Sequence, residues 1–206
     1  MSSTQASLFV IAAPSGAGKT TLVKALVTRN PELRFSISYT TRRKRRNEAD
    51  GVDYLFVNKE QFDALRNDGA LLEFAEVFDN HYGTSRAQVQ EHLDNGHDVV
   101  LEIDWQGARQ VRESMPECVT IFILPPSRNE LVRRLRYRRT DSRKIINRRL
   151  RDAVSDMSHW DEFDFIVVND DLDTAVADLE AVLAGRGEAL QASNAVLRAT
   201  VADIIG

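Results

Sequence analysis

Residues 13–20 read Ala-Pro-Ser-Gly-Ala-Gly-Lys-Thr, which meets the pattern G-x-x-x-x-G-K-[ST] in every letter but the first. Each residue type has a chemical reason to be there. Glycines let backbone N–H groups converge on phosphate oxygens, a lysine one residue later reaches the β- and γ-phosphates, and a following hydroxyl can ligate Mg²⁺. Ala13, Pro14, Ser15, Gly16, Ala17, Gly18, Lys19 and Thr20 are therefore candidate contacts for a nucleoside triphosphate, with Lys19 on the transferring phosphate and Thr20 on the metal. Ala13 stands where the pattern has glycine, so this loop must accept a Cβ there. A phosphate loop names a nucleotide and leaves its acceptor open.

The elements around the loop fit that chemistry. Leu8 to Ala12 is a short apolar run, as a buried strand requires, and Leu22, Val23, Leu26 and Val27 share one helical face beyond the loop. The strand–turn–helix order aims a helix N-terminus at the phosphates. Further on, Phe35, Ile37 and Tyr39 alternate like a strand. Val52 to Val57 and Leu71 to Phe78 read as strands of a small β-rich insertion, with Asp50-Gly51 and Asp68-Gly69 as turns. Ser85 to Leu93 reads as a helix stopped by Asn95-Gly96. Val99 to Ile103 and Val119 to Leu124 are apolar runs of the buried parallel type. Ser127 caps a helix reaching about Arg136, residues 137–143 read as an exposed loop, and a second amphipathic helix carries Ile145, Ile146, Leu150, Val154 and Met157. Phe163 to Val168 is the last strand and a helix starts near Asp171. After Gly185-Arg-Gly187 comes a terminal helix with Leu190, Leu197, Val201, Ile204 and Ile205 on one side. Strands alternating with helices predict an α/β fold, a doubly wound parallel sheet.

Composition narrows the partners. The 206 residues carry a net charge of −4, against a whole-surface grip on nucleic acid. Yet five of the 27 Lys and Arg form the run 42–46 and eleven fall between Arg128 and Arg151, a concentration suited to a small anionic ligand. The run 42–46 has no interleaved aromatics, which also argues against nucleic acid. Cys118 is the only cysteine, so neither an internal disulfide nor a cysteine-held zinc is expected. No signal-peptide core or membrane span is evident, and a cytoplasmic protein with no membrane partner is expected.

Six strings resemble guanylate kinases: Ala-Pro-Ser-Gly-Ala-Gly-Lys (13–19), Ser36-x-Ser38-x-Thr-Thr-Arg42, Tyr82-Gly83-Thr84, Ile103-Asp104-Trp-Gln-Gly107, Phe122-Ile-Leu-Pro-Pro126 and Val168-Asn-Asp-Asp171. They occur in family order. The resemblance implies a guanylate-kinase-like domain over 7–185: a core with the phosphate loop 13–20, a β-rich GMP-binding subdomain at about 37–94, and a helical lid at about 127–158, followed by a C-terminal helix over 186–206. It implies ATP and GMP as substrates with Mg²⁺. Arg42, Arg45, Tyr54 and Tyr82 would hold the GMP phosphate, and Ser38, Glu73 and Thr84 would read guanine. Guanine offers N1–H and N2–H₂ side by side, and one carboxylate can accept from both. Asp104 would lie close to GMP and the metal, and either Asp104 or Glu102 would serve Mg²⁺ beside Thr20. Arg134, Arg138 and Arg149 would close over the transferring phosphoryl group, and Asn169 would contact adenine.

Three stretches depart from the family pattern. Its Gly-Arg-Gly becomes Tyr137-Arg138-Arg139, its acidic lid pair becomes Arg143-Lys144, and its Pro-Arg-Pro-Gly-Glu becomes Lys44-Arg45-Arg46-Asn47-Glu48. Two other readings are open on the sequence: a sugar-phosphate kinase on the same fold, and a non-catalytic guanylate-kinase-like binding module. The joint presence of Ser38, Glu73, Thr84 and Asp104 speaks against the first, and Lys19 against the second. The sequence leaves a monomer and a homodimer equally open.

Overall fold

The computed structural model describes residues 6–77, 79–137 and 143–206. Phe78, Arg138 and Arg139, and the side chains of Arg143, Lys144 and Ile145 lie outside the described residues, so the loop expected over 137–143 is described only at its ends. The chain is α/β, with one parallel sheet and one smaller mixed sheet. The parallel sheet uses β1 (Leu8–Ala12), β2 (Arg34–Phe35), β7 (Val99–Glu102), β8 (Val119–Leu124) and β9 (Phe165–Val168), in the order β2-β7-β1-β8-β9. The smaller sheet, β4-β3-β6-β5, is built from β3 (Tyr39–Thr40), β4 (Leu55–Phe56), β5 (Leu71–Val77) and β6 (Asn80–Ser85). Residues cluster into two units, one comprising Pro31–Val119 and the segment up to Val10, the other Ile11–Asn30 and Thr120–Gly206.

In the first unit, β2 pairs with β7 in parallel, Arg34 opposite Val99. The alternation at Phe35, Ile37 and Tyr39 predicts one strand, but the chain breaks it into β2 and β3, in different sheets. The Gln88 side chain causes the break. Its Oε1 accepts from Ser36 Oγ at 3.0 Å and from the Ile37 N–H at 3.1 Å, satisfying backbone that would otherwise need a ladder partner. The strand expected over 52–57 shrinks to Leu55–Phe56, because the Val52 and Asp53 N–H groups turn back to the Ala49 carbonyl.

Two helices of this unit escape a reading by apolar spacing. α2 (Lys59–Asn67) buries only Phe62, and its visible signal is the capping box of Asn58 and Gln61. That one buried ring contributes about 3 kcal/mol of apolar transfer free energy. α3 (Arg86–Asp94) starts as expected, with the Ser85 side chain accepting from the Gln88 N–H. α4 (Trp105–Ser114) is capped by Asp104 and buries Gly107, Ala108 and Val111.

β5 and β6 form the longest antiparallel pair, with Glu73 opposite Thr84 and Phe74 opposite Gly83. Between Leu71 and Glu73 the register shifts by one, so Leu72 is an extra residue on β5. Leu71, Leu72 and Glu73 are consequently all buried, where strict alternation would expose one face.

In the second unit, α1 (Lys19–Arg29) follows the loop and buries Leu22, Val23 and Leu26. It packs on α7 (Leu172–Leu183), which buries Ala175, Val176, Leu179 and Val182. β8 and β9 run parallel, Ile121 opposite Phe165 through Leu124 opposite Val168, and the Phe122 and Phe163 rings lie 4.8 Å apart. α5 (Arg128–Tyr137) begins with Ser127 Oγ accepting from the Glu130 N–H at 3.1 Å. α6 (Arg143–Met157) turns Ala153 and Met157 inward, while Val154, expected on the apolar face, is 40% exposed. Leu190 belongs to a short 3₁₀ turn, Glu188–Leu190, and the terminal helix α8 (Ala195–Ile205) buries Val201 and Ile204. No helix among the described residues is long and apolar enough to cross a membrane.

Candidate active site

In the second unit the turn from β1 to α1 closes tightly, with the Ala17 N–H donating to the Pro14 carbonyl at 3.2 Å. Pro14 and Ala17 are buried, while Ala13, Ser15, Gly16, Gly18 and Lys19 are half-buried and Thr20 is exposed at the helix start. Gly18 caps α1 with φ +94°, a conformation L side chains rarely adopt. Ala13 has no positive φ, so its Cβ is accommodated without strain.

The loop is braced from two other elements of the same unit. Asn169, at the end of β9 and 7% exposed, donates from Nδ2 to the Ala17 carbonyl at 2.7 Å. Arg134 of α5 donates from Nη1 to the same carbonyl at 3.3 Å and from Nη2 to the Asn169 carbonyl at 2.9 Å. Its Nε donates to Glu130 at 2.8 Å. Hydrogen bonds from Arg133 and Arg134 pull the Glu130 carboxyl down to about 2. Arg134 and Asn169, expected on the phosphoryl group and on adenine, are thus gathered at the backbone of the phosphate loop. Arg149 sits half-buried on α6 with its Nε enclosed. Arg138 lies outside the described residues.

In the first unit a second cluster forms on the smaller sheet. Glu73 is 2% exposed, and its Oε1 accepts from the Thr84 hydroxyl at 2.6 Å, the two residues lying directly across the ladder. A carboxylate removed from water needs hydrogen-bond donors, and a ligand with N–H groups is one source of them. Gly107 of α4 makes the room: a Cβ there would collide with Glu73 Oε2. Asp104 Oδ1 accepts from the Gly107 N–H at 2.8 Å, so its first role is to cap α4.

Arg42 lies over the Tyr54 ring at 5.2 Å and grips Glu48 with both terminal nitrogens, at 3.0 and 2.8 Å. Burial works against its charge, but the hydrogen bonds to Glu48 and the neighbouring Tyr82 more than offset this and raise its pKa above the usual arginine value. Glu48 answers in kind. Burial opposes its ionisation, yet Arg42 and the Arg45 N–H hold its carboxyl below the usual range. Burial, then the Glu102 charge, push the Tyr54 hydroxyl up to about 12, and its ring meets that of Tyr82 edge-on at 5.9 Å. Arg42, Tyr54 and Tyr82 are therefore brought together, whereas the Arg45 side chain is 63% exposed and joins them through Glu48. Ser38 is half-buried, and its carbonyl accepts from the Leu55 N–H at 2.9 Å.

Spacing alone did not single out Glu48, Gly107, Gln110 or Glu130 as site residues. Each acts by orienting a neighbour, and only the tertiary fold shows the neighbour.

A family model described as guanylate kinase matches residues 5–186. The chain belongs to the guanylate kinase family. It is 54% identical over 199 residues to the guanylate kinase of Alkalilimnicola ehrlichii, covering 97% of this chain and 98% of that one. Identity to the Methylococcus capsulatus guanylate kinase is 50% over 203 residues, covering 98% and 100%. The crystal structure of guanylate kinase from Anaplasma phagocytophilum superposes with a TM-score of 0.72 at 31% identity, covering 95% of this chain and 93% of that one. As a member of the guanylate kinase family the chain is a kinase, a phosphotransferase that binds nucleotide through a phosphate loop.

Proposed function

We propose that this enzyme transfers the γ-phosphoryl group of Mg·ATP to the phosphate of GMP, giving ADP and GDP, and that it does so in the cytoplasm. The observation that carries the acceptor is the buried Glu73 carboxylate, held by Thr84 with Gly107 leaving it room. Guanine presents two adjacent N–H donors to such a group. Adenine lacks the pair and would leave the carboxylate underpaired, a discrimination of about 2–4 kcal/mol.

A GMP phosphate already carries anionic oxygen at neutral pH, so no general base is required. Catalysis then rests on alignment and on cationic stabilisation of the moving charge. Arg42 would bind the acceptor phosphate with its planar fork, exchanging part of its hold on Glu48, and Tyr54 and Tyr82 would donate from their hydroxyls. Lys19 and the loop amides would hold the ATP phosphates, with Arg138 and Arg149 adding charge from the lid. Arg134 and Asn169 would keep the Ala17 carbonyl turned away from the phosphates.

Among the described residues no group of three or more His, Cys, Asp or Glu could cage a metal. A hydroxyl and a single carboxylate would suit Mg²⁺, which keeps several waters and binds through substrate phosphates plus one or two protein oxygens. Thr20 would supply one, and either Asp104 or Glu102 another; the ion neutralises phosphate charge when bound.

The test titrates GMP, AMP and a sugar phosphate against Mg·ATP in a coupled ADP assay. GMP should be preferred by at least about 30-fold in kcat/KM. Equal turnover of GMP and AMP would refute the acceptor assignment.

A further inference from the structure

β5 is the outer strand of its sheet, so the N–H and C=O of Phe74 on its free edge have no strand to pair with. A side chain takes the strand's place. The Phe74 N–H donates to Gln110 Oε1 at 3.1 Å, and Gln110 Nε2 donates to the Phe74 carbonyl at 2.7 Å. One amide thus completes both backbone hydrogen bonds of a single residue, as a neighbouring strand would. Nε2 also lies 3.4 Å from the Gln106 carbonyl, which orients the amide from its own helix.

The residue so clasped is the one after Glu73. Gln110 stands three positions beyond Gly107 on α4, hence on the same helical face, and Gly107 is where the Glu73 carboxylate finds its room. The two positions divide one task. Gln110 fixes how far β5 stands from α4, and Gly107 receives the carboxylate at that separation. Thr84 anchors Glu73 Oε1 from the opposite strand. Without the clasp the Phe74 backbone can turn to water at little loss of stability, since both bonds lie at the surface. The carboxylate would then lose its fixed distance from α4.

We propose that Gln110 is a positioning residue for the base reader: by clasping Phe74 it sets the Glu73 carboxylate where it can accept from N1–H and N2–H₂ together, without itself touching the base. This rests on the GMP reading given above. A displaced carboxylate can still follow one donor but not span two, so the loss should fall on guanine more than on hypoxanthine, which lacks the 2-amino group.

The experiment measures kcat and KM for GMP, IMP and Mg·ATP in the parent, Gln110→Met and Gln110→Glu. Met keeps length and loses both bonds, whereas Glu keeps the acceptor for the Phe74 N–H and loses the donor. In Gln110→Met the KM for GMP should rise about 10-fold while kcat and the KM for ATP stay within about twofold, and the GMP/IMP ratio of kcat/KM should fall about fivefold. Gln110→Glu should lie between Met and parent, and exchange of the Phe74 amide hydrogen should quicken in the same order. Unchanged GMP/IMP selectivity in either folded variant, or an equal loss for all three substrates, would overturn the proposal while leaving the acceptor reading intact. A parent that does not prefer GMP would overturn both.

Discussion

Replacing Gly18 by Ala tests the phosphate loop where its geometry is tightest. Gly18 has φ +94°, where an L-residue is disfavoured by about 1–2 kcal/mol. Its new Cβ would also run into Asn169 Nδ2, the atom that donates to the Ala17 carbonyl. Displacing that amide forfeits a buried hydrogen bond, about 1–3 kcal/mol more. If the loop relieves both by leaving its phosphate-binding conformation, kcat/KM for Mg·ATP should fall roughly 10²-fold or more. Steady-state kinetics with ATP varied at saturating GMP reads this directly, and a thermal melt separates lost alignment from lost fold. The Gly18→Ala, Asn169→Ala double variant removes the clashing amide and should be less impaired than the two single losses combined. A folded Gly18→Ala enzyme with parental ATP kinetics would refute the assignment of this loop to phosphate. So would strictly additive losses refute the clash as the cause.

Ala13→Gly, at the other end of the loop, should leave kcat within about threefold and lower stability by ~0.4–1 kcal/mol through unfolded-state entropy, measurable as a small drop in Tm. Glu73→Gln should cut kcat/KM for GMP by about 2–4 kcal/mol, since an amide cannot accept both guanine donors; parental kinetics with GMP would show that Glu73 does not read the base. Glu48→Gln bears on pH. The Glu48 carboxyl is depressed in the folded state, so its pairing with Arg42 stabilises above the ordinary carboxylate range and fades as pH falls through the depressed value. The Tm gap between parent and variant should therefore be widest at pH 6–7 and close as pH falls through the depressed value; a gap independent of pH would mean that the ion pair contributes nothing.

The fold was largely legible because its strands are either uniformly apolar or bounded by strong turns. Leu8–Ala12, Val119–Leu124 and the Ser85 and Asp171 caps announce themselves in their residue types. Reading failed where backbone was satisfied by something other than a ladder or an apolar stripe. Gln88 splits one alternating run into two strands, and α2 shows one buried residue against a clear capping box. In the site, the motif residues Arg42, Tyr54 and Tyr82 lie together, and separately Glu73 and Thr84. The residues that orient them were not legible, since Gln110 and Glu48 look like ordinary surface side chains until their partners are in place.

The one-residue register shift on β5 gives Glu73, the proposed reader of the base, an unusual kind of address. Leu71 pairs with Ser85 and Glu73 with Thr84, neighbours on β6, because Leu72 is carried as a surplus residue between them. Without that surplus step, an unbroken ladder counted from the Leu71–Ser85 pair would set Leu72 opposite Thr84 and Glu73 opposite Gly83, on the other face from the hydroxyl that holds it. Where the Glu73 carboxylate lies is thus written partly in a residue count. A scan that swaps side chains one at a time would pass over Leu72 as a modest core position. A library of single deletions and insertions between the α2 turn and Glu73 would meet it as a spacer, and would read whether the Glu73–Thr84 pairing survives a change in the count.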